Sequence, residues 1–288
     1  MPGFLLRRSA LKTFANNMLL VVLALALLEL SGRLFHPLRD ALVEKNEWMT
    51  AQVVWLVAFV VQAAVVVIAL GHLRCGPNLR ELLAIHPKVT LSLALALACI
   101  PFAAAAVVVP DAFDAGLFAP LSPFTTSPYF WLGAFLPVFL SALSEELFHR
   151  ALLQSLLSRL VGNDWGGMVL GALLFTVFHS PQNAVTVLPG GLLLGVVFMR
   201  TRSIVCTTVL HLAFNIAASL VTGTQFALTV FIPDRVFVSA RPLVGALVLA
   251  LAVGFEWCWR AAADARARRA LPPPNERTGG AAAEPTSA

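Results

Sequence analysis

Long apolar runs recur along this chain with the charges gathered between them, at roughly 14–35, 51–71, 89–109, 129–157, 166–180, 183–200, 203–222 and 242–259. Each is about the length needed to cross a hydrocarbon core of ~30 Å at 1.5 Å per residue. The run at 166–180 is the shortest and needs help from its flanks or from local thinning of the bilayer. Composition agrees, since 59% of the residues are hydrophobic and only 12% charged, against about a quarter charged in a soluble domain. In lipid every backbone polar group must be satisfied internally, so such runs are expected as helices. The fold class expected is all-α: a polytopic membrane helical bundle of about eight transmembrane helices.

Basic residues set the orientation. With the N-terminus inside, one side of the membrane carries 14 of them: Arg7, Arg8, Lys12, Arg74, Arg80, Lys88, Arg159, Arg200, Arg202, Arg260, Arg266, Arg268, Arg269 and Arg277. The other side carries 4, namely Arg39, Lys45, Arg235 and Arg241. Both termini are therefore expected in the cytoplasm, in a multi-pass protein of the cell inner membrane. The net charge of +5 follows from this bias, and short basic flanks without a continuous basic face give no reason to expect a nucleic-acid partner. Glu29 and Arg33 interrupt the first run and no small-residue cleavage site follows it, so a retained helix is expected there rather than a signal peptide.

The chain reads as a transmembrane helical domain over 1–261, with a core at about 129–222, and a disordered cytoplasmic tail over 262–288. Pro272, Pro273 and Pro274 block helix continuation in the tail, and few apolar residues remain to fold a core. The prolines of 110–128 point to a structured non-helical connection on the outer side. Cys75, Cys99, Cys206 and Cys258 are far apart with no CxxC pair, so they read as small apolar packing residues, without a disulfide framework or thiolate zinc site. Trp48, Trp55, Trp131, Trp257 and Trp259 fall near span ends and read as interfacial anchors.

Ionisable groups inside the hydrocarbon cost about 2.5–3.5 kcal/mol each on insertion scales and usually mark function. The candidates are Glu145, Glu146, His149 and Arg150 in the fourth span, His179 at the end of the fifth, and His211 with Asn215 in the seventh. Glu29 with Arg33 reads as a structural pair in the first span, and Glu256 lies near the end of the last. Glu146 and Arg150 are four apart and share a helix face. Glu145 is expected to point about 100° away, towards a different neighbour. His211 and Asn215 project together. A carboxylate desolvated among imidazoles can act as general base on water, and imidazole and carboxamide groups can donate to the oxyanion of an acyl transition state. No GxSxG, no Cys–His set and no HExxH occurs, so serine, cysteine and zincin mechanisms lack their signatures.

Glu145-Glu146-Leu147-Phe148-His149-Arg150 fits EExxxR, Phe175-Thr176-Val177-Phe178-His179 fits FxxxH, and His211-Leu212-Ala213-Phe214-Asn215 fits HxxxN. In that order and on separate spans, these motifs resemble those of the CAAX protease and bacteriocin-processing family, which includes the Ras-converting CAAX endopeptidase. The resemblance covers about 140–216. It implies a glutamic-type intramembrane endopeptidase, with Glu145 activating water, Glu146 and Arg150 supporting it, His179 as the first catalytic histidine, and His211 with Asn215 at the oxyanion. It implies no cofactor. One departure is His149, where many bacterial relatives have an aromatic residue. The implied partners are the lipid bilayer and a membrane-associated protein or peptide substrate. An Ala/Leu/Val/Arg-rich composition points to a GC-rich bacterial genome, where a prenylated terminus is not the obvious substrate. Two other readings fit the same residues: a zinc protease using His179, His211 and a carboxylate, and a non-catalytic transport or peptide-binding (immunity) protein.

Overall fold

In a computed structural model the chain is described over residues 48–72, 78–108, 128–222 and 234–270, with shorter stretches between 12 and 45. Among the described residues there are helices and turns and no strand. After helical residues at 12–19 and 21–23 come α1 (Trp48–His72), the short α2 (Leu79–Leu82) and α3 (Pro87–Val108). Next is α4 (Pro128–Glu146), which runs on without a break through a π-helical segment, Leu147–Gln154, into α5 (Ser155–Val161). Then follow α6 (Asp164–Val177), a 3₁₀ turn at Pro181–Asn183, α7 (Ala184–Thr201), α8 (Ile204–Thr222) and α9 (Asp234–Ala270).

Pro87–Ala104, Pro181–Thr201 and Ala240–Ala267 are each long and apolar enough to cross a membrane. Shorter apolar helices cover Lys12–Leu23, Leu56–Gly71, Asp164–Val177 and Ile204–Ala218. The short fifth run is indeed a short helix: α6 has 14 residues, about 21 Å at 1.5 Å per residue. The last helix departs from expectation. Its Ala/Arg stretch stays helical to Ala270, because Ala and Arg are strong helix formers and the first blocking proline comes only at 272. The sequence boundary drawn between 261 and 262 therefore falls inside α9; residues 271–288, the 109–127 connection, Cys75, and the pair Glu29 and Arg33 lie outside the described residues.

Between helices in lipid, association rests on close packing more than on apolar burial, and small residues permit it. At Gly162 the backbone takes φ 69° and closes α5, its N–H meeting the carbonyls of Arg159 and Ser158. This is the left-handed helix end that glycine tolerates. Asn163 then caps α6 by accepting the Trp165 N–H at 2.9 Å. The returning helix presses so closely that a Cβ on Gly167 would collide with the backbone of Ser158. Likewise a Cβ on Gly245 of α9 would strike the carbonyl oxygen of Val185 on α7. A core of Leu93, Leu97, Leu193, Val197, Cys206, Leu210, Val244 and Val248 ties α3, α7, α8 and α9 together. Among the described cysteines Cys206 is buried in this packing, while Cys99 and Cys258 are exposed.

Contacts between elements define two ends of the bundle. At one end Arg202 reaches Asp164 at 2.8 Å, Arg200 and Arg260 both bond Glu256, and the Ser203 hydroxyl donates to the Ala84 carbonyl. Trp165, a tryptophan the sequence reading passed over, lies beneath Arg200 and Arg260, with guanidinium carbons 5.8 and 5.5 Å from its ring. At the opposite end Arg241 donates to the Gln182 carbonyl at 3.1 Å.

Candidate active site

The site is built where α4 passes into its π-helical segment. Side chains there must fit a wider turn, and such insertions are frequent at functional sites. Glu146, the last residue of α4, is wholly buried, as is Arg150, whose Nε donates to Glu146 Oε2 at 3.2 Å. The terminal nitrogens of Arg150 have no hydrogen-bond acceptor among the described residues, and its guanidinium carbon lies 5.0 Å from the centre of the Phe175 ring. That aromatic face supplies part of what a carbonyl would otherwise give. The four-residue spacing thus pairs these residues as the helix rule predicts.

Glu145 has the separate neighbour expected of it, Ser141, and in addition comes near one that Glu146 bonds. His211 on α8 places Nδ1 3.0 Å from Glu146 Oε1 and Nε2 3.8 Å from Glu145 Oε2. An angle of about 100° separates adjacent residues on a helix, but a ring with nitrogens on opposite sides spans both directions once α8 packs between them. Because Glu146 accepts, Nδ1 of His211 carries a proton. Glu145 also accepts from the Ser141 hydroxyl at 2.9 Å. Its side chain is 31% exposed against 0% for Glu146, so two adjacent carboxylates occupy unlike environments. One is sealed and charge-paired, the other open.

The remaining candidates gather around Phe175. His179 donates Nδ1–H to the Phe175 carbonyl at 2.8 Å and packs on that ring at 4.5 Å between centroids. This fixes the neutral tautomer with its lone pair on Nε2. His179 makes no hydrogen bond to Glu145 among the described residues, and the Phe175 ring, 6.0 Å from that of His211, contacts both imidazoles. His149 donates to the Glu145 backbone carbonyl at 3.0 Å, not to its carboxylate, and its ring meets Phe175 edge-on at 4.9 Å. It fills the aromatic position it occupies in the motif. Asn215 is half-buried one turn beyond His211 and makes no hydrogen bond among the described residues. Among the described residues no three His, Cys, Asp or Glu side chains converge as a metal site. Sequence reading missed Ser141, although it stands four residues before Glu145, and the part Phe175 plays as the common wall.

This constellation is the one on which a family match falls. Residues 127–217 match the type II CAAX prenyl endopeptidase Rce1-like family. The match spans α4 to the last third of α8 and takes in every motif residue named above, roughly a third of the chain. By this match the region is similar to a peptidase family of CAAX-protease type, and together with the apolar helices the match points to a membrane protein. No curated protein and no solved structure matches the chain.

Glu256, noted from the sequence as a late intramembrane carboxylate, stands apart from this site. It is held between Arg200 and Arg260 at the arginine-rich end, where it neutralises part of that charge.

Proposed function

We propose that the protein is a glutamic-type intramembrane endopeptidase that cleaves a membrane-associated protein or peptide. The observation that carries this reading is the pair of adjacent carboxylates on one imidazole, one sealed by Arg150 and the other open. Glu145 is the general base: it takes a proton from a water whose oxygen adds to the scissile carbonyl carbon. Glu146, held ionised by Arg150, orients His211. His211, protonated on both ring nitrogens beside the two carboxylates, keeps Nδ1–H on Glu146 and donates Nε2–H to the oxyanion, with Asn215 as the second donor. Collapse of the tetrahedral intermediate breaks the C–N bond, and the departing amine takes up a proton from Glu145. His179, with its free Nε2, faces the departing or attacking group. No metal or cofactor enters this scheme.

The bundle sits in a bacterial inner membrane with about eight spans and both termini cytoplasmic. Support comes from the distribution of Lys and Arg along the sequence and from the gathering of Arg200, Arg202 and Arg260 at one end.

The test compares terminal peptides in membranes of cells bearing the wild-type protein or Glu145→Gln, by mass spectrometry. A new terminus made only by wild type supports the reading and names the substrate. Identical termini in the two, with the variant stably inserted, overturn it in favour of a binding or transport role.

A further inference from the structure

Two arginines share one carboxylate at the arginine-rich end of the bundle. Arg200 of α7 takes Glu256 of α9 in a two-pronged pair, through Nε at 2.8 Å and through Nη2. Arg260, one turn along α9, donates Nε to the same carboxylate at 2.6 Å. Both terminal nitrogens of Arg260 are without an acceptor among the described residues. Beside this group Arg202 and Asp164 balance each other. Asp264, on the next turn of α9, makes no ion pair with Arg260 among the described residues, and Arg266 follows it. The cluster thus keeps an unmatched positive charge and an unused guanidinium edge. Trp165 of α6 backs both guanidiniums, so the Arg260 fork is held in place.

This fork lies at a definite depth. Arg241 and Arg260 on α9 are about 28 Å apart along the axis at 1.5 Å per residue, close to the ~30 Å of a hydrocarbon core. The stretch between them holds no charge but Glu256. Trp257 and Trp259 come just before Arg260, and Trp165 lies against it from α6. Tryptophans gather at the boundary between hydrocarbon and water. The unused edge of Arg260 therefore stands where the phosphates of one leaflet begin.

We propose that Arg260, Arg200 and Trp165 form a headgroup site for an anionic phospholipid, whose phosphodiester oxygens accept from the terminal nitrogens of Arg260. A planar guanidinium fork matches phosphate in two parallel bonds. The single negative charge of such a headgroup matches the charge left over once Glu256 and Asp164 are counted. A zwitterionic headgroup brings its own cation and gains less from that surplus. The acyl chains decide for a lipid over a free anion, because the apolar stretch of α9 that ends at Trp257 runs from the fork towards the membrane centre. Trp165, Arg200 and Arg260 come from α6, α7 and α9, so one bound lipid ties three helices together. The site shares no residue with the candidate active site and does not rest on the peptidase reading.

Native mass spectrometry of the whole protein in a neutral detergent tests this, with titration of phosphatidylglycerol or of phosphatidylcholine bearing the same acyl chains. Wild type is expected to retain its first phosphatidylglycerol about fivefold more readily, the preference that about one unmatched basic side chain supplies. Arg260→Gln and Trp165→Leu should each bring the two lipids to parity. Arg241→Gln at the opposite end removes the same charge and should keep the preference. Phosphatidylglycerol should also raise the thermal midpoint of wild type and leave that of Arg260→Gln unmoved. A variant that loses the wild-type midpoint before lipid is added is read through the other. Equal retention of the two lipids by wild type overturns the proposal. So does a preference that survives both variants, or one lost as fully with Arg241→Gln. Inorganic phosphate in excess should leave the bound lipid in place, and its displacement would overturn a lipid occupant in favour of a free anion.

Discussion

Glu146 and Arg150 are both wholly buried, and a charge left alone at such depth is costly. Truncating either one is expected to destabilise the protein by about 3–5 kcal/mol, read as a lowered thermal midpoint in detergent. Replacing both by methionine should recover most of that loss without restoring activity, because His211 would lose its 3.0 Å acceptor. Glu145 should behave oppositely. Its open position and single hydrogen bond from Ser141 predict that Glu145→Gln keeps the midpoint while cutting cleavage by about 10²–10⁴-fold, the usual contribution of a general base. For Asn215→Ala, the loss of one oxyanion donor predicts a fall of about 10²–10³ in kcat with little change in KM. The motif spacing made these residues legible in the sequence. Their partners were less so: helix periodicity paired Glu146 with Arg150 and gave Glu145 a neighbour of its own, but not the His211 ring that both carboxylates approach.

At the scale of elements, the hairpin that runs from the π-helical segment through α5 to α6 aligns the site, since it carries Arg150 on its first arm and Phe175 on its second. Its closeness depends on Gly167 lying against the Ser158 backbone. Gly167→Ala inserts a methyl where no room exists, and an overpacking cost of about 1–3 kcal/mol is expected, measured as a lower thermal midpoint. Hydropathy made the existence of these helices legible, including the shortness of α6. It did not reveal the π-helical turn over Leu147–Gln154, because nothing in that stretch breaks helical periodicity as Pro or Gly would. Nor did it find the full length of α9, whose Ala/Arg end is polar and so falls outside an apolar window while remaining strongly helical.

For the whole molecule, the metal-free reading makes a direct prediction. Exhaustive treatment with a chelator should leave cleavage unchanged, whereas loss restored by stoichiometric zinc would favour a site drawn from His179, His211 and a carboxylate. Metal content by mass spectrometry and activity on the same sample decide between them. The sequence by itself determined the solvent, through runs of apolar residues, the helical class, through the need to satisfy backbone groups in lipid, and the candidate chemistry, through three ordered motifs. Only the tertiary structure decided that both glutamates approach His211, that His179 stands apart against Phe175, and that Glu146 is sealed while Glu145 stays partly exposed. The physical reason is one of geometry. Residue spacing sets the direction of a side chain around its own helix, but how far neighbouring helices slide and cross is set by packing between residues distant in the chain.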